Sequence, residues 1–124
     1  MARLLIIDDE ESLSQILENT FREKGHIVET VTSGQAAKTK IDSAGYDVII
    51  SDIRMADVTG LDLLEHAHAT KSRAPFILMT AVPTMSTAIQ AVNLGAYRYV
   101  IKTDSLVEDL CSMVEGALKK LAEP

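Results

Sequence analysis

The chain has one cysteine, no long apolar run and no excess of basic residues, and each shortage removes a class of explanation. Cys111 has no second thiol to pair with, which excludes an internal disulfide and any multi-cysteine metal site and fits a reducing compartment. No apolar stretch approaches the ~18 residues that a membrane span needs. The opening MARLLIIDDEES has a short apolar run followed by acids where a cleavage site would need small residues. It does not read as a signal peptide, and a cytoplasmic location is expected. Lys and Arg number 12 against 18 Asp and Glu, a formal net charge of -6. Such a balance argues against direct nucleic-acid binding, which needs clustered cations; any DNA work would belong to another segment of polypeptide. No repeat, low-complexity tract or linker interrupts the 124 residues. That is the length of one domain, residues 1–124, able to bury roughly two-thirds of its unfolded surface.

Five apolar runs read as strands: LLII from Leu4, HIVETV from His26, DVIIS from Asp47, FILM from Phe76 and YVI from Tyr99. Helical stripes separate them. Leu13, Ile16, Leu17 and Phe21 share one face before Gly25, and Ala37, Ile41 and Ala44 do so before Gly45. Leu61, Leu64 and His68 form a weaker stripe; Met85, Ala88, Ile89 and Val92 precede Gly95; Leu106, Leu110, Met113, Ala117 and Leu121 make the last. Thr32 with Gln35 and Ser105 with Glu108 have capping-box spacing, Thr59 can cap the third helix, and Pro83 can start the fourth. Gly25, Gly45 and Gly95 suit helix C-termini. The runs at Leu4, Asp47 and Phe76 are apolar on consecutive residues, as strands covered on both faces must be. An α/β fold with a parallel sheet between two helical layers follows. At the C-terminus, LAEP hints that residues 119–124 begin a connector.

In an open parallel sheet, ligands bind beyond the carboxyl ends of the strands. The first strand ends on Asp8, Asp9 and Glu10, the third on Ser51 and Asp52, the fourth on Thr80 and the fifth on Lys102. The second ends on nothing chemically distinctive, as an edge strand would. Taken singly, DDEE is a solvated loop near a helix N-terminus, and Asp52 or Thr80 is a turn or capping residue. Their coincidence at one edge changes the reading. Two carboxylates ~4 Å apart at an effective dielectric of ~20 repel by about 4 kcal/mol. Such a cluster calls for a hard divalent cation such as Mg²⁺, with Lys102 as a second, permanent charge. Metal and lysine together can neutralise a phosphoryl group in flight, and an ionised Asp can accept it as an acyl phosphate.

The segments LLIIDDEE, DVIISDIRMADVTGLDLLE, ILMTA and NLGAYRYVIK strongly resemble the receiver domain of two-component response regulators, the CheY-like family, over essentially the whole chain. The wording is similar above all to receivers of NtrC-type transcription activators. The resemblance implies a doubly wound, five-stranded parallel sheet of order 2-1-3-4-5 with five helices. It makes Asp52 the phosphoacceptor, with Mg²⁺ (or Mn²⁺) held by Asp8, Asp9, Asp52 and the main-chain carbonyl of Arg54. Thr80 would bind a phosphoryl oxygen, Ala81 would leave room beside it, Lys102 would form the ion pair, and Tyr99 would be the aromatic switch. A sensor histidine kinase is the implied donor, and an effector domain the implied recipient of the signal. The fourth helix, fifth strand and fifth helix would form the surface that changes and that can pair two copies.

The sequence departs from that family's usual wording at two positions. Ala56 and Thr103 stand where prolines would be expected. Loss of the second removes the usual cis Lys-Pro bond; a non-proline cis bond costs ~2.5–4 kcal/mol, so a trans bond with a displaced loop is the first expectation and a retained cis bond the second. Two rival functions are an interaction module that no longer cycles phosphate and an aspartyl phosphatase. The complete set Asp8, Asp9, Asp52, Thr80 and Lys102 opposes the first. The absence of a DxDxT pattern after the first strand opposes the second.

Overall fold

Neighbouring apolar residues on the central strands belong to different cores, and the fold follows from that alternation. In the computed structural model, which describes residues 1–43 and 45–123, Leu4 and Ile6 face one core while Leu5 and Ile7 face another. Side chains on a strand point to opposite faces in turn, so a consecutively apolar strand needs cover on both. The cover comes from five helices in the order β1 (Arg3–Ile7), α1 (Glu11–Glu23), β2 (Ile27–Val31), α2 (Gly34–Ser43), β3 (Val48–Asp52), α3 (Gly60–Ala69), β4 (Phe76–Thr80), α4 (Met85–Asn93), β5 (Arg98–Ile101) and α5 (Leu106–Ala122). All pairings are parallel and the strand order is β2-β1-β3-β4-β5.

Helices α1 and α5 supply Leu17, Phe21, Leu110 and Val114 to the first core; α2, α3 and α4 supply Ala37, Ile41, Leu64 and Ala91 to the second. The sequence stripes hold for α1, α3 and α5 in part. Ile16 and Leu121 remain about half exposed, His68 lies outside, and Leu63 and Val114 are buried in addition. Ala44 of the second stripe lies outside the described residues.

The stripe expected on α4 is corrected. Met85 is 80% exposed, Val92 75% and Ile89 53%, whereas Ala91 is 1% exposed. Packed near the edge of the sheet, this short helix seats a small residue against it, and its larger apolar side chains face water. Helix starts also differ in detail. Thr59 and Asp62 form the reciprocal capping box at α3. At α2, Ser33 rather than Thr32 accepts the Ala36 N–H, at 3.2 Å. Thr84 caps α4 behind Pro83, and the Ser105 hydroxyl turns to the Asp109 carboxylate at 3.1 Å instead of capping α5.

Helices α1, α2 and α4 are followed by glycines with positive φ, at Gly25, Gly45 and Gly95, as expected. After α3 that place is taken by Lys71, with φ of 62°. A β-carbon in the left-handed region costs on the order of 1 kcal/mol. Lys71→Gly is therefore expected to raise stability by about 1 kcal/mol, measured as a higher urea midpoint at unchanged m-value.

On the edge strand, Glu29 gathers Arg3 (3.0 Å), Lys40 (3.0 Å) and the Tyr46 hydroxyl (2.7 Å), tying β2 to β1 and α2. The Tyr46 bond, helped by those two cations, holds its carboxyl at about 2, against an ordinary 4.5. Burial and the same bond push the Tyr46 phenol up to about 12. A depressed carboxyl stabilises the folded state above its unfolded pKa, and the contribution fades as pH falls through the folded one. Glu29→Gln should cost about 1 kcal/mol at pH 7. The gap to the wild type should close between pH 4.5 and about 2 in a series of urea titrations.

Candidate functional site

Parallel register brings four strand ends to one rim. Ile7 lies opposite Ser51, Asp52 opposite Met79 and Thr80 opposite Ile101, so Asp8, Asp52, Thr80 and Lys102 share the carboxyl edge of the sheet. Lys102 lies between the acids: its Nζ donates to Asp52 Oδ2 at 2.8 Å and to Asp8 Oδ2 at 3.1 Å, with Glu10 Oε1 at 4.0 Å. The lysine side chain is 13% exposed and that of Asp8 0%, so these charges meet largely out of water. Asp8 Oδ1 accepts the Glu10 N–H at 2.9 Å, and Asp52 Oδ1 accepts the Arg54 N–H at 3.2 Å. Both buried acids thus have their two oxygens engaged.

The lysine keeps its aim without a following proline. Its own N–H bonds the Thr80 carbonyl at 2.8 Å, carrying the β4–β5 ladder one step past the strand. Thr103 then holds the turn, its hydroxyl accepting the Ser105 N–H at 3.3 Å and its carbonyl the Leu106 N–H at 3.1 Å. No peptide bond among the described residues is cis, so the Lys102–Thr103 bond is trans, as the first expectation had it for the bond itself. Side-chain hydroxyls do locally what a proline ring would do by restricting φ.

Burial dominates the electrostatics of Asp8, lifting its carboxyl to about 6 against the bonds from Glu10 and Lys102 that pull it down. For Lys102 burial lowers the pKa, but its bonds to Asp52 and Asp8 outweigh burial and leave the ammonium raised. Asp8, Asp9 and Asp52 each offer an oxygen within 4.8 Å of the others, and Asp9 is exposed. One lysine cannot balance three carboxylates. The donors are hard oxygens, with no His or Cys in the cluster, a set that suits a hard divalent cation.

Thr80 is buried, and its Oγ1 accepts the Val82 N–H at 3.1 Å; Ala81, next in the chain, is exposed. Tyr99 stands half-buried on β5, its hydroxyl 2.9 Å from Thr87 Oγ1 on α4. The Arg54 side chain is exposed. Asp8, Asp9, Asp52, Thr80 and Lys102 thus share this rim, with Arg54 and Ala81 close by in the chain, whereas Tyr99 lies opposite Leu78, two residues before the end of β4. Thr87, the polar partner of Tyr99, was not singled out, since a threonine inside a helix carries no sequence mark of a bond twelve residues away.

The family model described as "Response regulator receiver domain" matches residues 4–115. The chain belongs to the response regulator receiver domain family. This receiver is 34% identical over 117 residues to the regulatory protein AtoC of Escherichia coli, covering 94% of the chain and 25% of AtoC. A Clostridium difficile two-component response regulator superposes with a TM-score of 0.91 at 28% identity, covering 99% of this chain and 100% of that one. The beryllofluoride-activated NtrC4 receiver domain dimer gives 0.86 at 28% identity, covering 97% and 98%. The chain is thus a CheY-like receiver close to those of NtrC-type activators, and it spans well under two-thirds of the curated relative's length.

A carboxyl whose folded pKa lies above its unfolded value costs stability once it ionises. That cost grows as pH rises through the interval from 3.8 to about 6 and is complete at pH 7. Asp8→Asn keeps an acceptor for the Glu10 N–H while removing the charge. In EDTA at pH 7.5 it is expected to stabilise the receiver by roughly 1–3 kcal/mol in urea unfolding. Equal or lower stability would show that the lysine already balances the cluster.

Proposed function

We propose that residues 1–124 form a single receiver domain of a two-component signalling protein, with residues 119–124 starting a connector to an effector domain. In it Asp52 accepts a phosphoryl group from a phosphohistidine on a sensor kinase. The observation that carries this reading is Lys102 Nζ lying 2.8 Å from Asp52 and 3.1 Å from Asp8, with Asp9 completing the trio of acids. Mg²⁺ or Mn²⁺, held by Asp8, Asp9, Asp52 and the Arg54 main-chain carbonyl, would supply positive charge to the acids and the transferring phosphoryl oxygens.

The residues of the chain perform the transfer as follows. A carboxylate oxygen of Asp52 attacks phosphorus in line; the new O–P bond forms as the P–N bond breaks, and its electron pair leaves on the imidazole nitrogen. Lys102 offsets the charge carried onto the product. Thr80, whose hydroxyl now serves Val82, donates to a phosphoryl oxygen and draws the loop 81–84 inward, while Ala81 leaves room. Tyr99 gives up Thr87 and turns toward the vacated space. The phosphoryl group adds charge and strong acceptors, and several charge-assisted bonds can together approach the ~5.5 kcal/mol needed to invert a 1:99 population. Water later hydrolyses the acyl phosphate, which resets the domain without making it an enzyme acting on other substrates.

The output surface in this reading is α4-β5-α5. Met85, Ile89, Val92 and Ile101 are all exposed there, apolar area suited to an effector domain or to a second copy in a homodimer. The domain works in the cytoplasm, with no direct role in binding DNA or membrane. No described helix is long and apolar enough to cross a membrane.

Incubation with acetyl phosphate and Mg²⁺ should add the mass of one phosphoryl group to the wild type and none to Asp52→Asn, read by intact mass spectrometry. A gain that persists in Asp52→Asn would move the acceptor elsewhere. No gain in the wild type would favour an interaction module that no longer cycles.

A further inference from the structure

The loop between β3 and α3, residues 53–59, makes a contact with the start of α2. Asp57 Oδ1 accepts the Gly34 N–H at 3.0 Å, and Oδ2 accepts the Gln35 N–H at 3.1 Å. These are orphan donors at the start of α2, a helix with no acid in its own first turn. The bond from Gly34 leads those that hold the Asp57 carboxyl below its ordinary value. A second, steric contact lies beside this one. A β-carbon at position 34 would fall 2.4 Å from Val58 Cβ, so the loop is pressed against the helix where the helix has no side chain.

At its other end the same loop is fixed to the site. The Ile53 N–H bonds the Met79 carbonyl at 2.9 Å, the Gly60 N–H bonds the Ile53 carbonyl at 2.8 Å, and the Arg54 N–H bonds Asp52 Oδ1 at 3.2 Å. Only Met55 and Ala56 separate Arg54 from Asp57, too few to absorb a shift of the anchor. We propose that Asp57 is a positioning residue: by gripping the N-terminus of α2 it sets the place of Arg54, and with it the cation affinity of the Asp8–Asp9–Asp52 cluster. The proposal rests on the reading above that the Arg54 carbonyl is a metal ligand. It assigns α2, a helix with no residue in the site, a share in metal affinity.

Four proteins test it: the wild type, Asp57→Ala, Gly34→Ala and Ala37→Gly. The last weakens the interior of α2 and leaves Asp57, Gly34 and Gln35 in place. Mg²⁺ titration by calorimetry should give a Kd raised roughly tenfold in Asp57→Ala and in Gly34→Ala, the range seen when a supporting partner of a ligand is lost. In Ala37→Gly it should stay within about twofold of the wild type, because the helix terminus and its partners are intact. Amide hydrogen exchange at Arg54 and Gly60, followed in EDTA, should quicken in the first two variants and not in the third. An unchanged Kd in Asp57→Ala overturns the proposal, as does an equal loss in Ala37→Gly, which would mean that general stability is at work. Absence of Mg²⁺ binding by the wild type would instead sink the metal reading. Unchanged exchange at Arg54 and Gly60 in Asp57→Ala would overturn the anchor by itself.

Discussion

Three segments far apart in the chain are joined by a single ammonium group. Lys102 bonds Asp8 across 94 residues and Asp52 across 50, so the last strand cannot leave the sheet without stranding two buried acids. Breaking one partner of a buried ion pair is typically far more costly than the pair is worth. The acids are at the same time too many for the lysine, and the site is short of positive charge. Structure and chemistry are therefore opposed: the charge balance that would best hold the sheet together is incomplete at the acidic rim. In the proposed function, a cation that enters and a phosphoryl group that follows would each change the balance on which three strand ends rest.

The sequence makes the fold legible because strand period and helix period are both sharp in it. LLII, VII and FILM allow no exposed face, so a covered parallel sheet follows from those runs. The strand order came from resemblance, since nothing in periodicity distinguishes β1 next to β3 from other arrangements. Asp8, Asp52, Thr80 and Lys102 were legible because each sits one step beyond an apolar run, whereas Arg54, Ala81 and Tyr99 came from resemblance. What stayed hidden was orientation and partnership. Met85, Ile89 and Val92 have helical spacing, yet spacing does not say whether the striped face meets the sheet or water. Asp57 in ADVTG carries no sequence mark of its partners, and only the folded chain places it on the amides of Gly34 and Gln35.

The turn after Lys102 illustrates how a missing residue type is replaced. Without proline at position 103, hydroxyls of Thr103 and Ser105 supply local bonds, and the lysine amide continues the ladder to Thr80. The aim of a charged side chain is thus set from its backbone outward. Loop chemistry around it can vary as long as the strand ends in register.

The sheet also acts as a partition. Leu5 and Ile6 are covalent neighbours, but they pack with separate sets of partners, one with α2, α3 and α4 and the other with α1 and α5. Sequence change on one side is therefore felt mostly on that side. The half of the molecule behind α4 can be retuned for new partners while the half behind α1 and α5 keeps its packing, and the strands between them serve both histories at once.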